Sequence, residues 1–130
     1  MKNNVEEYFS ASLDKVNIDR ELSLINQYWR QKVIGQANGQ MIKLAKGIGE
    51  LNWHQHDDQD ELFLMVKGQL TIQLRDRDIV LYPHDLFIVP KGVEHCPKAQ
   101  EEVEFLIMGL DITSNTAGGR PDNWPDQHTV

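Results

Sequence analysis

Cysteine is nearly absent from this chain: Cys96 stands alone, so no intramolecular disulfide can form. A chain without crosslinks must be held by its core, and a lone thiol fits the reducing cytoplasm. Long apolar runs are also missing. No stretch reaches the roughly 18 residues that a membrane-crossing helix needs, and Met1-Lys2-Asn3-Asn4-Val5-Glu6-Glu7 lacks an apolar core of signal-peptide length. Positive charge is scarce, with 13 Lys and Arg against 20 Asp and Glu, for a net charge of −7. Nucleic acid and anionic membrane are disfavoured as partners, because both require clustered Lys and Arg. No arginine cluster is present to hold a phosphate. Internal repeats and low-complexity segments are absent as well. The reading is of an acidic, soluble, cytoplasmic protein.

What remains is enough for one domain. The 130 residues are 40% hydrophobic and 25% charged, which suffices for a core of ordinary size. Residues 1–23 read as a partly helical N-terminal extension, 24–115 as the domain, and 116–130 as an irregular tail carrying Gly118-Gly119, Pro121 and Pro125. In the extension, Val5, Phe9 and Leu13 recur at helical spacing, and residues 17–22 predict a second short helix capped by Asn17 or Asp19. From Trp29 the pattern changes to strands. Residues 32–36 and 40–45 flank Asn38-Gly39, a hairpin signal because both residues tolerate positive φ. Further strands are expected over 61–67, 69–75, 79–82, 86–89 and 103–110, separated by Gly68, Asp76-Arg77-Asp78, Pro83-His84-Asp85 and Lys91-Gly92. Short strands at this spacing predict an all-β antiparallel sandwich or small barrel.

Chemistry concentrates between residues 54 and 95. His54 and His56, two apart on a strand, project from one face and can converge on one ion. Glu61 has the wrong parity to share an unbroken strand with His56, so Asp57, Asp58, Gln59 and Asp60 must form a turn before a new strand opens at Glu61. His95 follows a Pro-Lys-Gly turn. Three neutral imidazoles and one carboxylate suit a divalent transition metal and leave positions for water or substrate. Phe63 and Met65 share the parity of Glu61 and would give the pocket an apolar wall. Leu62, Leu64 and Val66 on the opposite parity are apolar too, so both faces of this strand should be covered. Trp53 should face away from the metal, and Cys96 should be a small buried hydrophobe rather than a nucleophile. His84 and His128 read as surface residues. Lys43 and Lys46 are the nearest cations in sequence for holding an anionic substrate, while the aspartates would place negative potential at the mouth of the site.

These residues also carry a family likeness. The run from Gly49 through His54-Gln55-His56, Glu61 and Gly68 resembles the first motif of the cupin superfamily. The run from Asp85 to His95, with Pro90-Lys91-Gly92-Val93-Glu94-His95, resembles the second. The likeness extends over residues 24–115 and is nearest to the small single-domain cupins of the mannose-6-phosphate-isomerase-like group. It implies metal ligation by His54, His56, Glu61 and His95, and a double-stranded β-helix (a jelly-roll barrel) over about residues 31–112. It also implies a homodimer. The chain departs from the pattern in three places: Gly49 lies one residue nearer the first histidine, His84 stands where the second motif opens with Gly, and Ala99 where it often closes with Asn. None of the three is a ligand position, so the departures concern turn geometry. The expected cofactor is one divalent ion (Fe, Mn, Ni, Zn, Co or Cu). The expected function is a metal-dependent enzyme acting on a small molecule, with dioxygenase-, isomerase- or lyase-type chemistry and no assignable general base. The alternative is a non-catalytic cupin that binds or senses a small ligand around a structural metal.

Overall fold

The computed structural model describes residues 13–110. The helix expected around Val5 and Phe9, His128 and the C-terminal tail lie outside them. The second expected helix is present as α1, Ile18–Ser23, with the Asn17 side chain accepting a hydrogen bond from the Arg20 amide at 2.9 Å. Six residues make too short a helix to persist alone. Its stability comes from burying Leu22, with the following Ile25, against Leu44, beside Ile34, Val66 and Leu106.

Seven strands follow: β1 Lys32–Ala37, β2 Gln40–Glu50, β3 Glu61–Lys67, β4 Leu70–Leu74, β5 Asp78–Leu81, β6 Leu86–Val89 and β7 His95–Gly109. The β1–β2 hairpin closes through Asn38 and Gly39 at φ 54° and 77°, the two left-handed residues that a two-residue primed turn requires. All pairings are antiparallel, in the order β1-β2-β7-β3-β6, with β4 joining β7 to β5. The fold is a jelly roll. Its organiser is β7, which pairs with β2 on one side and, on the other, first with β4 (Leu74↔His95) and then with β3 (Leu62↔Met108). Register shifts at Gly47/Gly49 and Met65/Lys67 let the paired strands bend, so β7 serves both layers of the barrel. Ala45, Phe63, Met65, Ile72, Phe105 and Ile107 fill the interior.

Two strands are longer than their sequence indicated. The strand expected over 40–45 continues to Glu50, and the one expected over 103–110 begins at His95. Gly47, Gly49, Pro97 and the polar run Gln100-Glu101-Glu102 disguise them locally. They persist because they pair with each other, Gly49 with Ala99 and Glu50 with Lys98. Trp29 does not open a strand: it sits in a turn at φ 66°, and β1 starts at Lys32. Among the described residues, no helix is long and apolar enough to cross a membrane.

Candidate metal centre

The two motifs meet at the ends of strands. Glu61 opens β3 and His95 opens β7. His54 forms an isolated bridge with His95, each amide donating to the other's carbonyl at 3.0 and 2.9 Å. Directly opposed antiparallel residues project to the same face, and the two ring centroids lie 4.4 Å apart. His56 falls beyond the bridge, outside any strand, yet its ring centroid lies 5.1 Å from that of His54. The expected shared face is therefore reached without the expected strand. What replaces it is a clasp between the motifs. The turn at residues 90–93 closes through Val93 N–H to the Pro90 carbonyl at 3.2 Å, with Gly92 at φ 82° as a type II turn requires. Gly92 N–H then donates to the His56 carbonyl at 2.7 Å, and Lys91 N–H to Asp60 Oδ1 at 2.9 Å. Gln59, also buried, accepts from the Leu110 amide at 2.6 Å and ties the acidic turn to the end of β7.

The ligating atoms available on His54, His56, Glu61 and His95 all lie within 4.8 Å of one another. Donors facing each other across an ion would be about 4 Å apart, given metal–nitrogen and metal–oxygen bonds of about 2.1 Å. His95 is wholly buried, and the other three are 8–9% exposed. His54 Nδ1 lies 3.0 Å from the Asn52 carbonyl and His95 Nδ1 2.9 Å from the Val93 carbonyl. A carbonyl only accepts, so each Nδ1 carries the proton and each neutral ring keeps its Nε2 lone pair for the centre. His95 Nε2 is 3.3 Å and His56 Nε2 is 3.4 Å from Glu61 Oε1. Lone pairs facing a carboxylate repel unless a proton or a cation lies among them. Both ring nitrogens of His56 are buried without a hydrogen bond, and metal ligation would satisfy one of them. Burial, and then the neighbouring His95, hold His54 down at about 4, so it is neutral at pH 7. At Glu61 burial acts upward, but hydrogen bonds from His56 and His95, made when those rings carry a proton at Nε2, outweigh it and keep the carboxyl below its usual range. The donor set fits a divalent transition metal.

Beside His54 and Glu61 lies a partly open pocket of about 20 Å³, lined also by Phe63, Trp29, Gln31 and Phe105. Phe63, one of the two residues expected to form an apolar wall, is among those lining residues. Met65 is not among the lining residues of this cavity and packs in the core. Trp53 faces outward beneath the Arg75 guanidinium, 3.7 Å from the ring centroid. Cys96 is buried, and burial followed by nearby Glu50 pushes its thiol up to about 11, so it is no nucleophile. Lys46 is paired with Glu102 and Glu104 at 3.7 and 3.8 Å, and Lys43 is buried on the parity of Met41 and Ala45. Asp57 and Asp58 are exposed, as expected of a solvated turn. His84 is exposed and takes φ 77°, so it adopts the left-handed conformation that glycine supplies at the start of the family's second motif. Sequence reasoning missed Trp29 and Gln31, which precede the first strand and belong to neither motif. Only the fold brings them to the site.

A jelly roll with three imidazoles and a carboxylate gathered at one end of its barrel defines a metal-site β-barrel protein. The cupin domain family model matches residues 40–111, and the chain belongs to the cupin family. A cupin-2 domain containing protein from Shewanella frigidimarina is 42% identical, the alignment covering 72% of this chain and 91% of that one, with a TM-score of 0.70. The uncharacterized protein YdbB of Bacillus subtilis is 40% identical over 63 residues, which is 48% of this chain and 56% of YdbB. The match thus spans little more than half of that curated relative. Hydroquinone 1,2-dioxygenase from Sphingomonas sp., solved with 4-hydroxybenzoate bound, shares the fold at 17% identity, covering 70% of this chain and 71% of that one with a TM-score of 0.60.

Proposed function

We propose that His54, His56, Glu61 and His95 hold one divalent transition metal, and that the protein is a metal-dependent enzyme acting on a small molecule. The observation that carries this reading is the gathering of one ligating atom each from His54, His56, Glu61 and His95 within 4.8 Å of one another in a buried cluster. An ion there would supply Lewis acidity, or redox chemistry with a metal such as iron. The protein's part is orientation. The Asn52 and Val93 carbonyls fix the tautomers of His54 and His95, and Glu61 lowers the net charge of the centre by one. Because His95 is sealed while His54, His56 and Glu61 keep slight exposure, a substrate reaches the centre past those three. A phosphorylated substrate is disfavoured. Among the described residues no arginine lines the pocket, and Arg75 is engaged with Glu94 at 3.2 Å and with Trp53. Dioxygenase, isomerase and lyase reactions suit the donor set, and the dioxygenase among the fold neighbours makes oxygen chemistry the first to screen. A non-catalytic cupin with a structural metal is the second reading, and the small volume of the pocket beside His54 and Glu61 favours it.

The protein is proposed to work in the cytoplasm, which suits its free Cys96, and as a homodimer through the aliphatic face of β3 and β6. Elemental analysis of protein purified without an affinity column tests the metal. We expect about one equivalent of Fe, Mn, Ni, Zn, Co or Cu, and we expect His56→Ala to lose most of it while keeping its β circular dichroism. Stoichiometric metal in His56→Ala would refute the ligand set. Iron would direct activity screens to oxygenation, the other metals to isomerisation and elimination.

A further inference from the structure

Gln31 lies just before β1 and is only 4% exposed, yet its Oε1 has no hydrogen-bond partner. A buried amide oxygen without a donor costs free energy, so an apolar residue would serve better in plain packing. Gln31 lines the pocket beside the candidate ligands, with His54 and Glu61 among the polar walls and Trp29, Phe63 and Phe105 among the apolar ones. About 20 Å³ is room for one water. The segment is strapped in place. Trp29 holds φ 66°, uncommon for a bulky side chain, and its indole N–H donates to the Ile48 carbonyl at 3.0 Å. Its ring lies so close to Gly47 that a Cβ there would be 2.7 Å away. Strain of this kind persists only where the surroundings enforce it.

We propose that Gln31 is a positioning residue of the metal centre, accepting a hydrogen bond from a single water in the pocket it shares with His54 and Glu61. The proposal rests on the metal reading above. A water that donates one hydrogen to Gln31 Oε1 and the other towards the Glu61 carboxylate turns its lone pairs to the point where the four donors converge. Gln31 touches no substrate and acts only through that water.

Cobalt is the probe. The untagged protein is stripped, reloaded with Co²⁺, and followed by visible absorption, which strengthens as coordination number falls, and by titration of Co²⁺ affinity. Gln31→Met keeps the length of the side chain without its acceptor. It should intensify the absorption, weaken Co²⁺ binding about tenfold, and leave the melt of the metal-free protein unchanged or higher. Gln31→Glu keeps an acceptor and should hold the absorption at wild-type strength. A spectrum and affinity unchanged in Gln31→Met would overturn the proposal and leave the metal reading standing. So would an unfolded Gln31→Met, because the proposal requires the acceptor to be dispensable to the metal-free fold. A wild-type protein that takes up no Co²⁺ would instead sink the metal reading, and this inference with it.

Discussion

His54 shows how one residue can link the site to stability. Its ordinary value of 6.5 falls to about 4 in the fold because burial, and then His95, oppose its charge. The unfolded chain therefore takes up this proton first as pH drops. Stability from His54 is complete above about pH 6.5 and is lost as pH falls towards 4, at a cost of about 3 kcal/mol. Glu61, held below its usual range, acts in the same direction at more acid pH: its contribution is present above 4.5 and is lost below that value. The melting temperature of chelator-treated protein should therefore fall steadily from pH 7 to 4.5, and His54→Gln should flatten the profile over that interval. A flat wild-type profile would contradict the burial argument. His84 offers a second residue-level check. It holds φ 77° in a turn closed by Asp85 N–H to the Tyr82 carbonyl at 2.9 Å. A left-handed non-glycine residue costs about 1–2 kcal/mol, and the added chain entropy of glycine returns about 0.5–1 of that. Urea melts should find His84→Gly more stable by about 0.5–1 kcal/mol. The four candidate ligands could be read from spacing because their geometry is local to two turns. Gln31 could not, since nothing near it in sequence says that it lies beside His54.

At the scale of elements, turns were legible and strand lengths were not. Asn38-Gly39 and Gly92 advertise their backbone geometry through their own chemistry. The first half of β7 has no such signal, because its residues are extended only by virtue of β2 and β4 on either side. Gly68 joins the two kinds of information. It stands between β3 and β4 at φ 87°, and a Cβ there would lie 2.9 Å from the Glu102 carbonyl oxygen and 3.0 Å from Val103 Cγ1. The turn residue is thus pressed against the bend of β7, where the two layers part. Gly68→Ala combines backbone strain with a clash against main chain that has little freedom to move, and should cost at least about 2 kcal/mol. Metal stoichiometry in the same variant should be unchanged, because the clasp between residues 56–60 and 91–92 is remote from this bend. Chemical denaturation and metal analysis of one preparation would check both halves. A marginal stability change would mean that β7 can shift away from Gly68.

For the whole molecule, the decisive feature is the outer face of the sheet. Sequence parity indicated that Leu62, Leu64 and Val66 must be covered, without saying by what. The structure divides the answer. α1 covers Val66 and Leu106, whereas Leu62 and Leu64 continue into β6, where they pair with Ile88 and Leu86. Ile88 is 46% exposed and Leu86 54%, and half-buried Met108 adjoins Leu62 on β7. A run of aliphatic side chains across three adjacent strands is more than the scattered apolar residues of an ordinary surface. β6 is also an edge strand with few charges to keep other chains away. A second copy of the same face would cover it by isologous packing, the commonest symmetry of soluble oligomers. Light scattering at tens of micromolar should therefore give about twice the 15.0 kDa chain mass. Replacing Leu86 and Ile88 together by Asp should return the monomer mass with the fold intact, since both side chains stand largely in solvent within one chain. A wild-type monomer would refute the dimer. A variant that remains dimeric would move the interface to another face.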